Sequence, residues 1–207
     1  MKSDKIACMD IEFEAKFLNI NKENTRTVLK NAGAKLLKPE FLQKRVTFNL
    51  PKGHEVKGTW VRVRNETDKI TMSLKIISGE KIEYQKEITL KVDNFEKVVE
   101  FLKGVGCEEK SYQENKRELW LLDDVEITID EWPFIEPFVE LEGKSEEEVR
   151  KVSEMLGFNW KEAVFGSTHL ITSRKYNIPE EILNDQIPRI VFNEENPYLA
   201  WKKKNNQ

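Results

Sequence analysis

In Ile11-Glu12-Phe13-Glu14-Ala15-Lys16-Phe17, polar and apolar side chains alternate without a break. An extended chain turns successive side chains to opposite faces. Glu12, Glu14 and Lys16 therefore share one face, and Ile11, Phe13, Ala15 and Phe17 share the other. Taken alone, this is a half-buried strand with a solvated charged side, the ordinary arrangement in an antiparallel sheet. The pattern recurs, however, along the chain. Arg62 and Arg64 oppose Val61 and Val63, Lys75 opposes Leu74 and Ile76, Asp130 opposes Ile127 and Ile129, and Glu140 and Glu142 oppose Val139 and Leu141. An open sheet would offer all of these charged faces to water. Closing the sheet gathers them around one lumen and turns the apolar faces outward, beneath helices.

A charged lumen is costly as a plain core, because an isolated buried ion loses several kcal/mol on desolvation. Mixed carboxylates and cations inside a barrel therefore indicate a site. Carboxylates suit a hard divalent cation, and guanidinium and ammonium groups suit phosphate oxygens. The two together suit a metal-bound polyphosphate.

Eight segments read as strands by alternation or by β-branched and aromatic content: 10–18, 40–49, 58–65, 69–77, 81–92, 110–121, 124–132 and 137–142. Eight strands close readily into a barrel. Three helices lie between them. Asn21 caps a helix presenting Val28, Leu29 and Ala32 and stopping near Gly33. Asp93 with Glu96, and Ser145 with Glu148, form capping-box patterns before two further apolar stripes that end at glycine. A strand, a helix ending at glycine and then three strands occur twice, from Ile11 and again from Glu83, a weak internal repeat. The fold class expected is α+β, a closed eight-stranded antiparallel tunnel over residues 1–165. Residues 166–207, with Pro179, Pro188, Pro197 and a basic Lys202-Lys203-Lys204 end, read as an extension packing on or near a tunnel mouth, with the basic end a solvated tail.

Composition narrows the function. The chain has 207 residues, 34 basic and 37 acidic, interspersed to a net charge of −3, which gives no support for a nucleic-acid binder. No apolar run is long enough to cross a membrane, and Met1 to Met9 lacks the apolar core of a signal peptide. Cys8 and Cys107 form neither a disulfide framework nor a metal-ligand spacing, so a cytoplasmic setting with reduced thiols is expected. His54 and His169 are the only histidines. Any metal must be held by oxygen, which favours magnesium, manganese or calcium.

Glu12-Phe13-Glu14-Ala15-Lys16 resembles the ExExK signature of the CYTH domain, or triphosphate tunnel metalloenzyme, family. Arg62-Val63-Arg64, Lys75, Arg117, Asp130 and Glu140-Leu141-Glu142 follow in the family's order, and the resemblance covers about residues 10–165. It implies that Glu12, Glu14, Asp130, Glu140 and Glu142 hold Mg²⁺ or Mn²⁺, and that Lys16, Arg62, Arg64, Lys75 and Arg117 bind the phosphates and carry the catalysis. The family often has a second basic residue two positions before Arg117, where this chain has Asn115. Either the phosphate grip is weaker by one cation, or Arg45 on the second strand compensates.

The activity implied is hydrolysis of the terminal phosphate of a triphosphate: tripolyphosphate, ATP or thiamine triphosphate. The alternatives are a class IV adenylyl cyclase making cyclic AMP and pyrophosphate, and a module that binds polyphosphate or nucleotide without turnover. Trp60, Trp120, Trp132 and Phe134 are candidates to stack a base, and His169 and Tyr176 to close over a substrate. Glu87 reads equally as a lumen or a surface residue. A protein whose charged strand faces are merely solvated is the remaining class. No nucleic-acid or membrane partner is expected, and the oligomeric state, a homodimer included, is left open.

Overall fold

The computed structural model describes residues 9–79 and 81–205, so Cys8 lies outside the described residues. The sheet is built from β1 (Asp10–Ile11), β2 (Phe13–Phe17), β3 (Lys35–Asn49), β4 (Thr59–Asn65), β5 (Ile70–Ile77), β6 (Gln85–Val92), β7 (Glu108–Leu122), β8 (Val125–Glu131) and β9 (Phe138–Gly143). Helices α1 (Lys22–Asn31), α2 (Phe95–Gly104) and α3 (Glu146–Met155) lie among these strands. After them come α4 (Thr168–Tyr176), α5 (Glu180–Gln186), the short β10 (Arg189–Ile190) and α6 (Pro197–Asn205).

The strand order is β1-β6-β5-β4-β3-β7-β8-β9-β2, antiparallel throughout, with β10 added parallel to β7. β1 and β2 are the two ends of a single run interrupted at Glu12. The first end pairs with β6 and the second with β9. At the break, the Glu12 amide donates to the Gln85 carbonyl at 3.0 Å. One run thus joins both edges of the sheet and nearly closes it. Counted as one strand it gives the eight expected from the sequence.

Polarity is inverted as the alternation requires. Outward-facing Ala15, Ile127, Val139 and Leu141 pack with Val149 and Val152 of α3 and Leu29 of α1. Val46, Phe48, Val61 and Val63 pack with Leu102, Val98 and Val99 of α2. The caps explain where these helices start. Asn21 accepts from the Asn24 amide at 3.0 Å, and Ser145 accepts from the Glu148 amide at 3.2 Å while Glu148 accepts from the Lys144 amide at 3.0 Å. In α2 the cap is Asn94, which accepts from the Lys97 amide at 2.9 Å, not Asp93. Gly33 and Gly157 sit at φ +82° and +84°, the left-handed stop that glycine adopts without a Cβ penalty.

Some boundaries differ from the sequence reading. β3 begins at Lys35, not 40, because register shifts on both sides of Lys38 let the strand continue past Pro39. The segment expected as strand from 81 starts at Gln85, since 82–84 form a 3₁₀ turn pinned by buried Ile82. Residues 176–201 carry a core of their own, formed by Ile178, Leu183, Ile187, Ile190 and Tyr198. Lys202, expected in a solvated tail, is helical and donates to the Tyr176 carbonyl at 3.1 Å. No helix among the described residues is long and apolar enough to cross a membrane.

Candidate functional site

The lumen holds a cavity of about 250 Å³. Ten of the residues singled out in the sequence line it: Glu12, Glu14, Lys16, Arg45, Arg62, Arg64, Lys75, Arg117, Glu140 and Glu142. Register explains the convergence. Glu14 stands opposite Glu142 and Lys16 opposite Glu140 across β2 and β9, Lys75 stands opposite Glu87 across β5 and β6, and Arg45 stands opposite Arg64 across β3 and β4. Alternation then points each of these side chains into the same space.

The wall carries seven cations and seven carboxylates, and most are paired. The Lys16 ammonium meets Glu14, lies 3.2 Å from Glu140 and donates to the Gly166 carbonyl at 2.8 Å. Lys75 pairs with Glu12 at 2.7 Å and Glu87 at 3.0 Å, and Arg62 joins Glu87 at 2.9 Å. Arg64 pairs with Glu66 at 2.7 Å. Arg117 grips Asp130 through Nε at 2.9 Å and Nη2 at 2.8 Å, and reaches Glu140 at 3.1 Å. Arg45 differs. Its Nη2 donates to the Gln43 and Asn115 amide oxygens, its acceptors among the described residues, and its guanidinium lies 4.5 Å over the Trp132 ring.

These environments separate the carboxylates. Burial pushes Glu12 up to about 8 against the pull of Lys75, and burial likewise raises Glu142, with Glu140 and Glu126 adding repulsion. Burial acts the same way on Glu140, but Lys16 and Arg117 override it and hold this group well below the usual carboxylate range. Burial and the neighbouring Arg62 lower Arg64 to about 10.

Glu14, Glu140 and Glu142 bring carboxylate oxygens within 4.8 Å of one another. Three hard oxygen donors at that spacing fit a divalent cation of the magnesium or manganese kind. Two residues expected on the metal side stand apart from this trio. Glu12 lines the cavity but is engaged by Lys75. Asp130 does not line the cavity, and its oxygens accept from Arg117, from Asn115 at 2.7 Å and from Thr128 at 2.6 Å. Asn115, at the departure from the family pattern, bridges Arg45 and Asp130, and Arg45 occupies the lumen.

The structure adds lumen residues the sequence reading missed or left open. Glu87 and Gln85 are buried on the wall, and the exposed Thr89 also lines it. The alternation Gln85-Glu87-Thr89 against Ile88-Leu90 carried that information. Glu66 and Glu126 also line the cavity. Among the aromatic candidates, Trp132 is on the wall, whereas Trp120 is outside beneath α1 and donates to Glu118 at 2.6 Å. Phe134 packs into the C-terminal cluster and Trp60 does not line the cavity. Neither His169 nor Tyr176 lines it; the Tyr176 hydroxyl donates to the Phe134 carbonyl at 2.7 Å. His54 is exposed.

A family model described as CYTH domain matches residues 10–163. Solved structures give the same fold. A conserved hypothetical protein from Pyrococcus furiosus is 24% identical with a TM-score of 0.62, covering 73% of this chain and 94% of that one. A candidate adenylate cyclase from Vibrio parahaemolyticus is 13% identical at 0.68, covering 79% and 98%. A candidate adenylyl cyclase from Hippeastrum, described as having a dominant triphosphatase activity, is 14% identical at 0.52, covering 84% and 99%. Among curated proteins no match is found.

Proposed function

Because the chain belongs to the CYTH domain family, whose model spans residues 10–163, we propose that it is a metal-dependent triphosphatase that hydrolyses the terminal phosphate of inorganic or organic triphosphates. The observation carrying this reading is the balanced lumen, with seven cations and seven carboxylates on one wall. A polyanion alone would be repelled by the carboxylates and a cation alone by the arginines and lysines. A ligand combining both, a divalent ion on a phosphate chain, answers both sets.

Glu14, Glu140 and Glu142 are the residues that would hold Mg²⁺ or Mn²⁺, which when bound supplies charge neutralisation of phosphate oxygens and an activated water. Lys16, Arg62, Arg64 and Lys75 take the phosphate oxygens as acceptors in exchange for their present carboxylates, Arg117 does so in place of Glu140 while Asp130 keeps hold of it, and Arg45 adds phosphate oxygens to its amide acceptors. They thereby stabilise charge developing on the transferred phosphoryl group. Asp130 keeps Arg117 in a fixed bidentate orientation, so that the guanidinium needs no reorganisation when substrate arrives. Burial of the whole set strengthens each of these contacts over its value in water.

Hydrolysis is preferred over cyclisation because a cyclase must also hold a base. The aromatic rings on the wall, Phe41 and Trp132, already carry cations, Lys38 at 3.8 Å and Arg45 at 4.5 Å. The test is a substrate panel of tripolyphosphate, ATP and thiamine triphosphate with Mg²⁺ and with Mn²⁺, from neutral to alkaline pH. Phosphate release is the expected result. Cyclic AMP with pyrophosphate from ATP would replace the hydrolase by the cyclase, and binding without products would leave a sensor.

A further inference from the structure

We infer that the first turn of α4, with Arg45 and Trp132, forms a phosphate subsite on the tunnel wall, supplied in part by residues beyond the family-matched segment. The inference rests on the triphosphate reading above and assigns that ligand a further set of contacts. The chain is brought to the wall by β2. Val164 and Lys16 exchange backbone hydrogen bonds of 2.9 and 3.0 Å, and the Lys16 ammonium holds the Gly166 carbonyl at 2.8 Å. Gly166, Ser167 and Thr168 consequently line the cavity, and α4 starts there.

The first amides of a helix have no acceptor within it and carry the positive end of its dipole. Ser167 does not cap them with its side chain; its hydroxyl donates to Glu180 at 3.4 Å. The Leu170 amide turns back to the Ser167 carbonyl at 3.1 Å, which leaves the amides of Thr168 and His169 as the donors of this turn.

Two side chains on the same wall point independently to a ligand. Trp132 and Arg45 are only 7% and 6% exposed, and the indole Nε1–H and guanidinium Nε–H are buried without an acceptor among the described residues. A buried donor left unmade costs more than an average hydrogen bond returns. Arg45 is also a buried cation answered only by amide oxygens, and Gln43, Asn115 and the Trp132 ring hold it in place. Donors from a helix end, an indole and a guanidinium, with no acceptor among them, fit a group made only of acceptors. A phosphoryl group is that group, and helix N-termini bind it through the same amides.

The experiment is calorimetric titration of a methylene-bridged tripolyphosphate, which resists hydrolysis, in Mg²⁺. Trp132→Phe keeps an aromatic ring beneath Arg45 and deletes the Nε1–H together with the second ring of the indole. Thr168→Pro deletes one amide at the first helical position, where proline is accommodated. Each is expected to weaken binding roughly tenfold, the loss of one charge-assisted hydrogen bond, with an unchanged circular dichroism spectrum in the absence of ligand; Trp132→Phe, which trims a buried ring, melts lower but still in one cooperative transition. Wild-type affinity in both variants would overturn the subsite and leave the triphosphate reading standing. If Thr168→Pro does not fold, Trp132→Phe alone decides. Failure of the wild-type protein to bind the probe would overturn the triphosphate reading and the subsite with it.

Discussion

The two halves of the barrel share a path and divide the charge. One half runs β2-α1-β3-β4-β5 and the other β6-α2-β7-β8-β9, a strand, a helix and three strands each. In the sheet they stand as reversed images, with β3 beside β7 at the centre. The first half nevertheless puts six cations and three carboxylates on the cavity wall, and the second puts four carboxylates and a single cation, Arg117. Alternation and caps lay down the path and are indifferent to the sign of a charge. The sign decides the chemistry, and it becomes legible as a site only once the halves face each other.

The comparison predicts that the lone cation of the acidic half is the most costly to remove. Arg117 answers Asp130 and Glu140, both buried. Arg117→Ala leaves buried Asp130 without its cation and Glu140 with Lys16 alone, a loss of about 3–5 kcal/mol, read as a fall of roughly 10 °C in melting temperature. A melting point within 2 °C or so of wild type would show that the acidic half does not depend on this cation.

Next in size is an effect of pH where the extension meets both halves. His169 lies toward Lys110 of the second half and Arg45 of the first, with Asn184 as a side-chain partner, and burial together with those cations lowers it from 6.5 to about 4. The unfolded chain therefore takes up this proton first as pH falls. The contribution is complete above pH 6.5 and is lost between 6.5 and 4, on the order of 3 kcal/mol. Melting curves across that window should separate wild type from His169→Gln, whose profile is flatter there. Parallel profiles would remove His169 from the account.

A smaller effect is expected at the carboxylate trio proposed to hold the metal, which draws Glu14 from the first half and Glu140 and Glu142 from the second. Glu142→Gln removes one charged donor and keeps the shape. Mn²⁺ affinity, followed by calorimetry, should fall at least tenfold, the lower end of what even outer-shell partners of a metal cost. Unchanged affinity would place the ion elsewhere in the lumen.

Much of this was legible in the residues because a strand's period of two is rigid. Glu12-Glu14-Lys16, Arg62-Arg64 and Glu140-Glu142 each announce a face, and one closed sheet leaves that face one destination. Asp130 shows the limit. Its strand position places it inward, but alternation cannot say whether a carboxylate meets a metal or a guanidinium. That depends on Arg117 standing directly opposite across β7 and β8, a register that no local pattern states. Glu87 was legible and undervalued, since its lysine neighbours Lys86 and Lys91 blur the charged face. The first turn of α4 was invisible, because its place on the wall comes from the long-range pairing of Val164 with Lys16.

Arg45 gives the finest test of the divided charge. It belongs to the cationic half, as Arg117 belongs to the acidic one; Arg45 is buried and Arg117 half-buried. Arg117 is answered by carboxylates, and Arg45 only by the amide oxygens of Gln43 and Asn115. Burial and the repulsion of Arg62, Arg64 and Arg117 all act against its charge. Removing it therefore relieves the ligand-free protein of an unanswered ion at the cost of a packed side chain over Trp132. The two terms oppose each other, so Arg45→Met should change stability by less than about 1 kcal/mol, in contrast to Arg117→Ala. Affinity for the methylene-bridged tripolyphosphate should fall in the same variant, because the ligand is what the buried cation answers to. A large loss of stability with affinity preserved would reverse the assignment, making Arg45 a structural strut and leaving the cationic half one contact short of the ligand.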